Sequence, residues 1–211
     1  RVGDTLTISA ANLNSNMDIS SCTAAFSYVL DEADFAVAIG VSTVTTSTFT
    51  TAFSALTDAT FKQASWDVVQ DAVTATTKWG AIGDWDVSGV RDMSYGFSKH
   101  RNAAGSYQNN GNPKAASFTG AGIEKWATGS VTTLRSTFYG SHEIDINLGT
   151  WDVSQVTNMW ETFNYAYKFK GTGLEKWNVT KAATMYGIFS STTSLTSCNK
   201  RKIADAWAAI S

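Results

Sequence analysis

The sequence predicts an α/β repeat solenoid that is capped by a helix at each end and preceded by a β-rich N-terminal segment. One skeleton, Trp, Asp or Asn, Val, Ser or Thr, followed by spaced apolar residues, occurs twice almost verbatim, and two weaker copies share its Trp and its spacing within 211 residues. Amphipathic patterns flank this array on both sides, and the Thr-rich residues before it lack the skeleton. A repeat of about 25 residues is short for paired helices and is typical of a coil with one strand and one turn or short helix.

The four copies run from Trp85 to Phe97, from Trp126 to Phe138, from Trp151 to Phe163 and from Trp177 to Phe189. The apolar positions lie 0, 3, 6 and 10 residues after the third residue of each copy, except that the second copy has Thr128 at the first of them. We expect a strand around the first Val and a helical turn from Met to Phe, and the near-helical spacing also leaves a plain helix open for that second half. Stacking buries such side chains at roughly 1.5 to 3 kcal/mol each, so they should form the core. They are Val87, Val90, Met93 and Phe97; Val131, Leu134 and Phe138; Val153, Val156, Met159 and Phe163; and Val179, Ala182, Met185 and Phe189.

The first two copies are separated by an insertion. Trp85 and Trp126 are 41 residues apart, whereas the next two Trp-to-Trp intervals are 25 and 26 residues. The extra residues are placed at 98–117, which is rich in Asn, Gly and Ser and holds Pro113, the only proline. Insertions in repeat arrays usually form loops on one face, so the repeats are assigned to 80–196 with a surface loop at 98–117.

Helices are predicted on both sides of the repeats, because an end coil would otherwise expose its apolar face. Residues 58–79 have apolar residues on one helical face, with Thr60 and Gln63 placed to form a capping box. Residues 197–211 show the same pattern, with Asn199 as the expected N-cap. These two segments are the predicted capping helices.

Residues 1–57 are either a Thr/Ser-rich, β-prone arm or degenerate repeats. The leader TLTIS alternates apolar and polar residues, and Phe26 with Leu30 echoes the last two repeat positions. The Thr run at 43–51 is out of phase with the repeat, so β-propensity explains it better than an ice-binding face does. An alternating leader of this kind can add a strand to the sheet edge of a neighbouring molecule.

The skeleton WDVSxVxxMxxxF, its period and the lead-in Gly80 to Trp85 resemble the BspA-like surface-protein repeats. These are short leucine-rich-like repeats in mycoplasma, bacterial and microalgal surface proteins, and the resemblance covers roughly residues 58–210. It implies a non-enzymatic scaffold on or outside the cell that serves adhesion or assembly. The few repeats, the long loop and the Thr-rich leader depart from the family pattern and favour a specialised structural role.

Composition excludes some functions and leaves others open. A net charge of −2 argues against a nucleic-acid binder, and no apolar run is long enough for a transmembrane segment. The chain begins with Arg1 and not Met, which is compatible with a mature or trimmed protein and with an extracellular or cell-surface location. Cys22 and Cys198 either form a disulfide between the two ends or are two small buried residues.

No catalytic or cofactor motif stands out. His100 and His142 lie outside any hydrolase or metalloprotease signature, so neither an enzyme nor a bound cofactor or metal is expected. The recurrent Asp67, Asp86, Asp152 and Asn178 could bind calcium as a ladder, but such side chains more often bond to backbone amides in turns. Asn178 also begins a glycosylation sequon, Asn-Val-Thr, and is a candidate acceptor.

The expected function is therefore a non-enzymatic structural or protein-protein interaction module of a surface or extracellular assembly, with proteins or copies of itself as partners. Carbohydrate binding or adhesion at the cell surface is the alternative. For the alternative, Tyr107, Trp160, Tyr165 and Tyr167 are the candidate stacking platforms, provided that their rings are exposed and not buried between coils.

Overall fold

The computed structural model describes residues 54–210, and the β-prone arm, the TLTIS leader, the Thr run and Cys22 lie outside this part of the chain. Three α-helices and four short 3₁₀ helices account for the regular structure of the described residues. The α-helices are α1 (Asp58–Gln70), α2 (Ala72–Trp79) and α3 (Ser197–Ala208). The 3₁₀ helices are Ile82–Asp84, Pro113–Ser117, Ile123–Lys125 and Leu174–Lys176.

The predicted fold class, an α/β solenoid with one strand in each repeat, is wrong. Residues 54–210 contain no β-strand, and the Met-to-Phe half of each copy is a run of turns and not a helical turn. Successive copies are joined by isolated parallel bridges between Asp92, Thr133, Asn158 and Thr184, the residues before the Met or Leu position. The four copies therefore stack directly on one another without forming a sheet.

Alternate amides in each copy explain how turns can stack in this way. The Met159 N–H donates to Thr184 O of the next copy at 2.8 Å, and the Glu161 N–H donates to Tyr186 O at 2.8 Å. The Phe163 N–H donates to Ile188 O at 3.0 Å, whereas the intervening Thr162 N–H donates back to Met159 O and closes a turn within its own copy. Since one set of amides bonds along the stack and the other within the copy, the backbone is satisfied without a strand.

A left-handed residue in every copy interrupts both strand and helix. The residue two positions after the Met or Leu slot has a φ between 51° and 63°, and it is Tyr95, Ser136, Glu161 or Gly187. This backbone conformation costs an L-residue roughly 1 to 2 kcal/mol and cannot continue a strand or a right-handed helix. Only Gly187 adopts it without that cost.

The repeat Trp residues form a ladder of rings and hydrogen bonds through the core. Trp126 stacks between Trp85 and Trp151, with ring centroids 5.7 and 6.1 Å apart. The Trp126 indole N–H donates at 2.7 Å to Ile82 O, the carbonyl three residues before the preceding Trp. Trp151 repeats this bond to Ile123 O at 2.9 Å. Trp177 repeats it to Leu148 O at 2.8 Å. The buried indole N–H groups of the second, third and fourth copies are therefore each paired with the copy before.

The Phe residues at the end of each copy form a second ladder. The rings of Phe97, Phe138, Phe163 and Phe189 stack with centroid distances of 5.8, 5.5 and 6.1 Å. Within residues 54–210, the buried core of 28 residues contains most of the predicted apolar positions, while Met185, Phe189 and Ala182 are half-buried against it. The core is thus continuous from the first copy to the fourth.

Helices contact both ends of the two ladders. Phe61 of α1 meets Phe97 edge-on at 6.1 Å. Trp207 of α3 stacks on Phe189 at 6.1 Å, and its indole N–H donates to Leu174 O at 2.8 Å, as the next Trp of the ladder would. Trp207 therefore covers the Leu174 carbonyl and the Phe189 ring, which would otherwise be left open at the end of the fourth copy.

The helix ends differ in detail from the sequence prediction. Thr57 and Thr60 form the capping box of α1, and not Thr60 with Gln63. Asp71 separates α1 from α2 because its extended backbone ends the first helix while its carboxylate accepts from Val73 and Thr74 N–H groups. The N-cap of α3 is Thr196 and not Asn199. None of the helices in the described part of the chain is long and apolar enough to cross a membrane.

Candidate functional site

A buried arginine holds the inserted segment 98–117 against α1. The Arg101 side chain donates to Ser65 Oγ at 2.9 Å and to Lys62 O at 2.7 Å, both on α1. It also donates to Gly96 O at 2.5 Å and, through Nε, to Asn102 O at 3.1 Å. The segment expected to be a plain surface loop therefore has a fixed base, although its tip at 102–110 is largely exposed.

Arg101 is fully buried, and within residues 54–210 it makes no ion pair with a carboxylate. Desolvation lowers the pKa of its guanidinium from 12.5 to about 10, so the side chain still carries its charge at neutral pH. Hydrogen bonds to carbonyl and hydroxyl oxygens offset the cost of removing this charge from water. The guanidinium carbon also lies 5.6 Å from the Trp66 ring centroid, which is a cation–π contact. The buried cation is therefore stabilised by hydrogen bonds to neutral oxygens from all three of its nitrogens.

Hydrogen bonds of Asn112 fix the C-terminal end of the segment. The Asn112 side chain is buried; it accepts from Gln70 Nε2 of α1 at 2.7 Å and donates to Ser98 O at 3.3 Å. The Asn112 N–H donates to Lys99 O at 2.9 Å, which brings the two ends of the segment together. With both ends fixed, the residues between them form a small anchored projection.

That projection is a short hairpin that presents His100 and Tyr107. Arg101 and Tyr107 form an antiparallel bridge, and the Gln108 N–H donates to His100 O at 3.2 Å. Asn102 stabilises the turn, since its side chain accepts from the Ser106 N–H at 3.0 Å. The Tyr107 ring projects into solvent, while its backbone is tied to the buried arginine.

Exposed aromatic rings are concentrated beside this hairpin and along the turns. Tyr107 is 63% exposed and Tyr186 66%, and Trp160, Tyr165 and Tyr167 are each between 38% and 39% exposed. The repeat Trp residues are at most 5% exposed. The four rings proposed from the sequence as stacking platforms are therefore on the surface and not between the copies.

These rings make two groups. The first, the aromatic face, is a chain of neighbouring rings with centroids 4.5 to 6.3 Å apart. The second, the Trp160–Tyr186 pair, has ring centroids 4.6 Å apart on the last two copies. The aromatic face consists of Tyr95, Tyr107, His100, Tyr139, Tyr165, Tyr167 and His142.

A pocket of about 450 Å³ opens at the hairpin end of the aromatic face. Tyr95, Ser136 and Glu161, the left-handed residues of the first three copies, line this pocket. Asn164 Nδ2 donates to Glu161 Oε1 at 3.1 Å and orients the carboxylate. The full lining is Tyr95, His100, Tyr107, Arg135, Ser136, Tyr139 and Glu161.

The imidazoles of this surface are held in their neutral form. Partial burial lowers the pKa of His100 and of His142, and the nearby Lys99 ammonium lowers both further. Burial raises the pKa of the Tyr139 hydroxyl, with the Glu161 carboxylate adding to the effect. At neutral pH the pocket therefore presents one guanidinium, one carboxylate and otherwise uncharged groups.

The recurrent Asp and Asn residues bond to turns in the copies that carry them. Asp86 accepts from the Ser88 N–H at 3.0 Å, Asp152 from the Ser154 N–H at 2.9 Å, and Asn178 from the Thr180 N–H at 3.2 Å. Hydrogen bonds from Ser88 and Ser154 lower the pKa of Asp86 and of Asp152. Asp67 belongs to α1 instead and accepts from Lys78 and Trp79.

Asn178, the glycosylation candidate, is exposed. Cys198 is exposed in the first turn of α3, and its proposed disulfide partner Cys22 lies outside the described residues. Among residues 54–210, no group of three or more His, Cys, Asp or Glu side chains is arranged to hold a metal ion.

Comparison with known proteins gives a family match that covers the four copies. A family model described as a Mycoplasma protein of unknown function, DUF285, matches residues 68–109 and 106–207. No curated protein and no solved structure matches the chain. The two matches together span more than half of the 211 residues. The chain therefore belongs to the DUF285 family.

Proposed function

We propose that this chain is a non-enzymatic interaction module of the BspA-like repeat type, which acts at the cell surface or outside the cell and binds protein partners or copies of itself. The single observation that carries the proposal is the exposed Trp160–Tyr186 pair. Both rings lie one position after the Met slot, where the first two copies have Ser94 and Arg135. Large rings at a position that the core does not need indicate a contact surface.

The chemistry of the pair suits a protein contact. Trp and Tyr are enriched among the residues that contribute most to interface affinity, because each buries a large apolar area with few rotatable bonds. The two rings are already in contact, so little side-chain entropy is lost when a partner covers them. A net charge of −2 leaves little long-range repulsion between copies. The N-terminal arm expected to carry self-association lies outside the described residues, so this proposal does not depend on it.

Sedimentation equilibrium of the full chain tests self-association. We expect the wild type to associate reversibly, and the double variant Trp160→Ser/Tyr186→Ser to raise the dissociation constant about 30-fold or more, as loss of an interface hot spot does. Tyr107→Ser is the matched control, because Tyr107 is equally exposed but lies outside the pair. A chain that stays monomeric, or a double variant that associates like the wild type, would count against self-association through this pair.

A further inference from the structure

The pocket at the hairpin end of the aromatic face combines aromatic walls with two charged side chains. The rings of Tyr95, Tyr107 and Tyr139 provide apolar walls with polar hydroxyl tips. The Glu161 carboxylate accepts hydrogen bonds only, and the Arg135 guanidinium donates them only. A ligand that fits must therefore present an apolar face together with groups that both donate and accept.

We infer that this pocket is a carbohydrate-binding site that takes one neutral pyranose residue of a glycan. The C–H face of a pyranose packs on a tyrosine ring, and its hydroxyls donate to Glu161 and accept from Arg135. A volume of about 450 Å³ lies within the range of small-molecule sites. One guanidinium and one carboxylate leave the pocket without net charge, which suits a neutral sugar better than an acidic one. The inference goes beyond the protein contact proposed above and uses a different part of the surface.

The walls of the pocket are fixed before any ligand arrives. The hairpin that carries Tyr107 is anchored by the bridge to the buried Arg101. Glu161 is held by Asn164 on one side, and the guanidinium of Arg135 lies 5.7 Å from the Tyr95 ring centroid on the other. A preformed site loses less entropy on binding, which matters for ligands whose individual contacts are weak.

Three of the six non-glycine residues with a positive φ among residues 54–210 line the pocket, and they are Tyr95, Ser136 and Glu161. Tyr95 and Glu161 adopt φ values of 58° and 54°, where the fourth copy has Gly187. A side chain in the left-handed region costs roughly 1 to 2 kcal/mol relative to glycine, and such costs persist mainly where the side chain has a role. Tyr95 and Glu161 therefore occupy a backbone conformation that glycine, as at Gly187, adopts at a lower energetic cost.

Further rings extend from the pocket along the stack. Tyr139 lies 5.6 Å from Tyr165, which lies 6.1 Å from Tyr167, measured between ring centroids. Each additional ring can pack against another sugar of the same chain. We therefore expect an oligosaccharide to bind more tightly than the methyl glycoside of its own monomer.

Saturation-transfer NMR and calorimetric titration of the full chain test the inference. The probes are the methyl glycosides of glucose, mannose and galactose, their linear oligosaccharides, and N-acetylneuraminic acid as the acidic comparison. At least one neutral series should bind, with the oligosaccharide tighter than the monomer. Tyr107→Ala and Glu161→Gly should each weaken binding about tenfold or more, whereas Tyr186→Ala, an equally exposed tyrosine outside the pocket, should not change it. Glu161→Gly keeps the fold because Gly187 occupies the equivalent position, and a thermal melt checks this.

The outcomes separate the two proposals. The carbohydrate inference is overturned if none of the neutral saccharides saturates the chain, or if Tyr186→Ala weakens binding as much as Tyr107→Ala does. It is also overturned if Tyr107→Ala abolishes self-association, since a second copy would then occupy the pocket. Loss of self-association in the Trp160→Ser/Tyr186→Ser variant alone concerns the protein contact and leaves sugar binding unchanged.

Discussion

Replacement of Arg101 by methionine is expected to lower the free energy of unfolding by about 3 to 5 kcal/mol. The guanidinium donates to five buried or half-buried oxygens on α1, on the first copy and on the hairpin. Each hydrogen bond of a charged group contributes about 1.5 to 3 kcal/mol, whereas the pKa of about 10 corresponds to a desolvation cost of roughly 3 kcal/mol. The lost hydrogen bonds therefore outweigh the relief of the buried charge.

Urea denaturation followed by tryptophan fluorescence measures the effect. Arg101→Lys should lie between the wild type and the methionine variant, because an ammonium keeps the charge but not the planar fork of donors. Arg91→Met is the control, since the Arg91 side chain is exposed and its removal should change stability by less than about 0.5 kcal/mol. If Arg101→Met unfolds at the same urea concentration as Arg91→Met, Arg101 does not anchor the segment.

Replacement of Trp151 by alanine is expected to cost about 3 to 5 kcal/mol of stability. The ring fills the centre of the Trp ladder, where it is 3% exposed and stacks on Trp126. The variant leaves a large cavity and removes one of the hydrogen bonds to Ile123 O. Trp151→Phe keeps most of the volume and should lose about 1 kcal/mol for the hydrogen bond and a smaller amount for packing.

Trp160 provides the control within the same copy. It is 39% exposed, and Trp160→Ala should cost less than about 1 kcal/mol in the same denaturation experiment. Equal losses for Trp151→Ala and Trp160→Ala would show that the first ring is not a core residue, and the stacked arrangement would then be wrong.

The core was largely predictable from the sequence, and the backbone was not. Apolar residues at fixed offsets in four copies indicate which side chains meet, whatever conformation joins them. The offsets of 3 and 4 are close to a helical spacing and do not match the strand period of 2, so they gave a warning against the strand but none against the helical turn. The left-handed positions were hidden because Tyr95, Ser136 and Glu161 occupy them, and only Gly187 carries the usual sequence signal.

The site was only partly predictable. Tyr107, Trp160, Tyr165 and Tyr167 stood out as rings that the repeat skeleton does not require. Arg101 was missed because one arginine in an Asn- and Gly-rich stretch resembles a solvated loop residue, and its acceptors on α1 are 36 to 39 residues away. Arg135 and Glu161 were missed because they meet only when successive copies stack beside the hairpin.

Hydroxyl-radical footprinting of the full chain, read by mass spectrometry, tests the central claim most directly. The claim is that four stacked copies bury their own Trp ladder while leaving a separate set of rings in solvent. Trp160 should then be oxidised quickly, and Trp126 and Trp151, each 3% exposed, should be protected until the chain is unfolded. Oxidation of Trp126 and Trp151 at the rate of Trp160 in the folded protein would contradict the account.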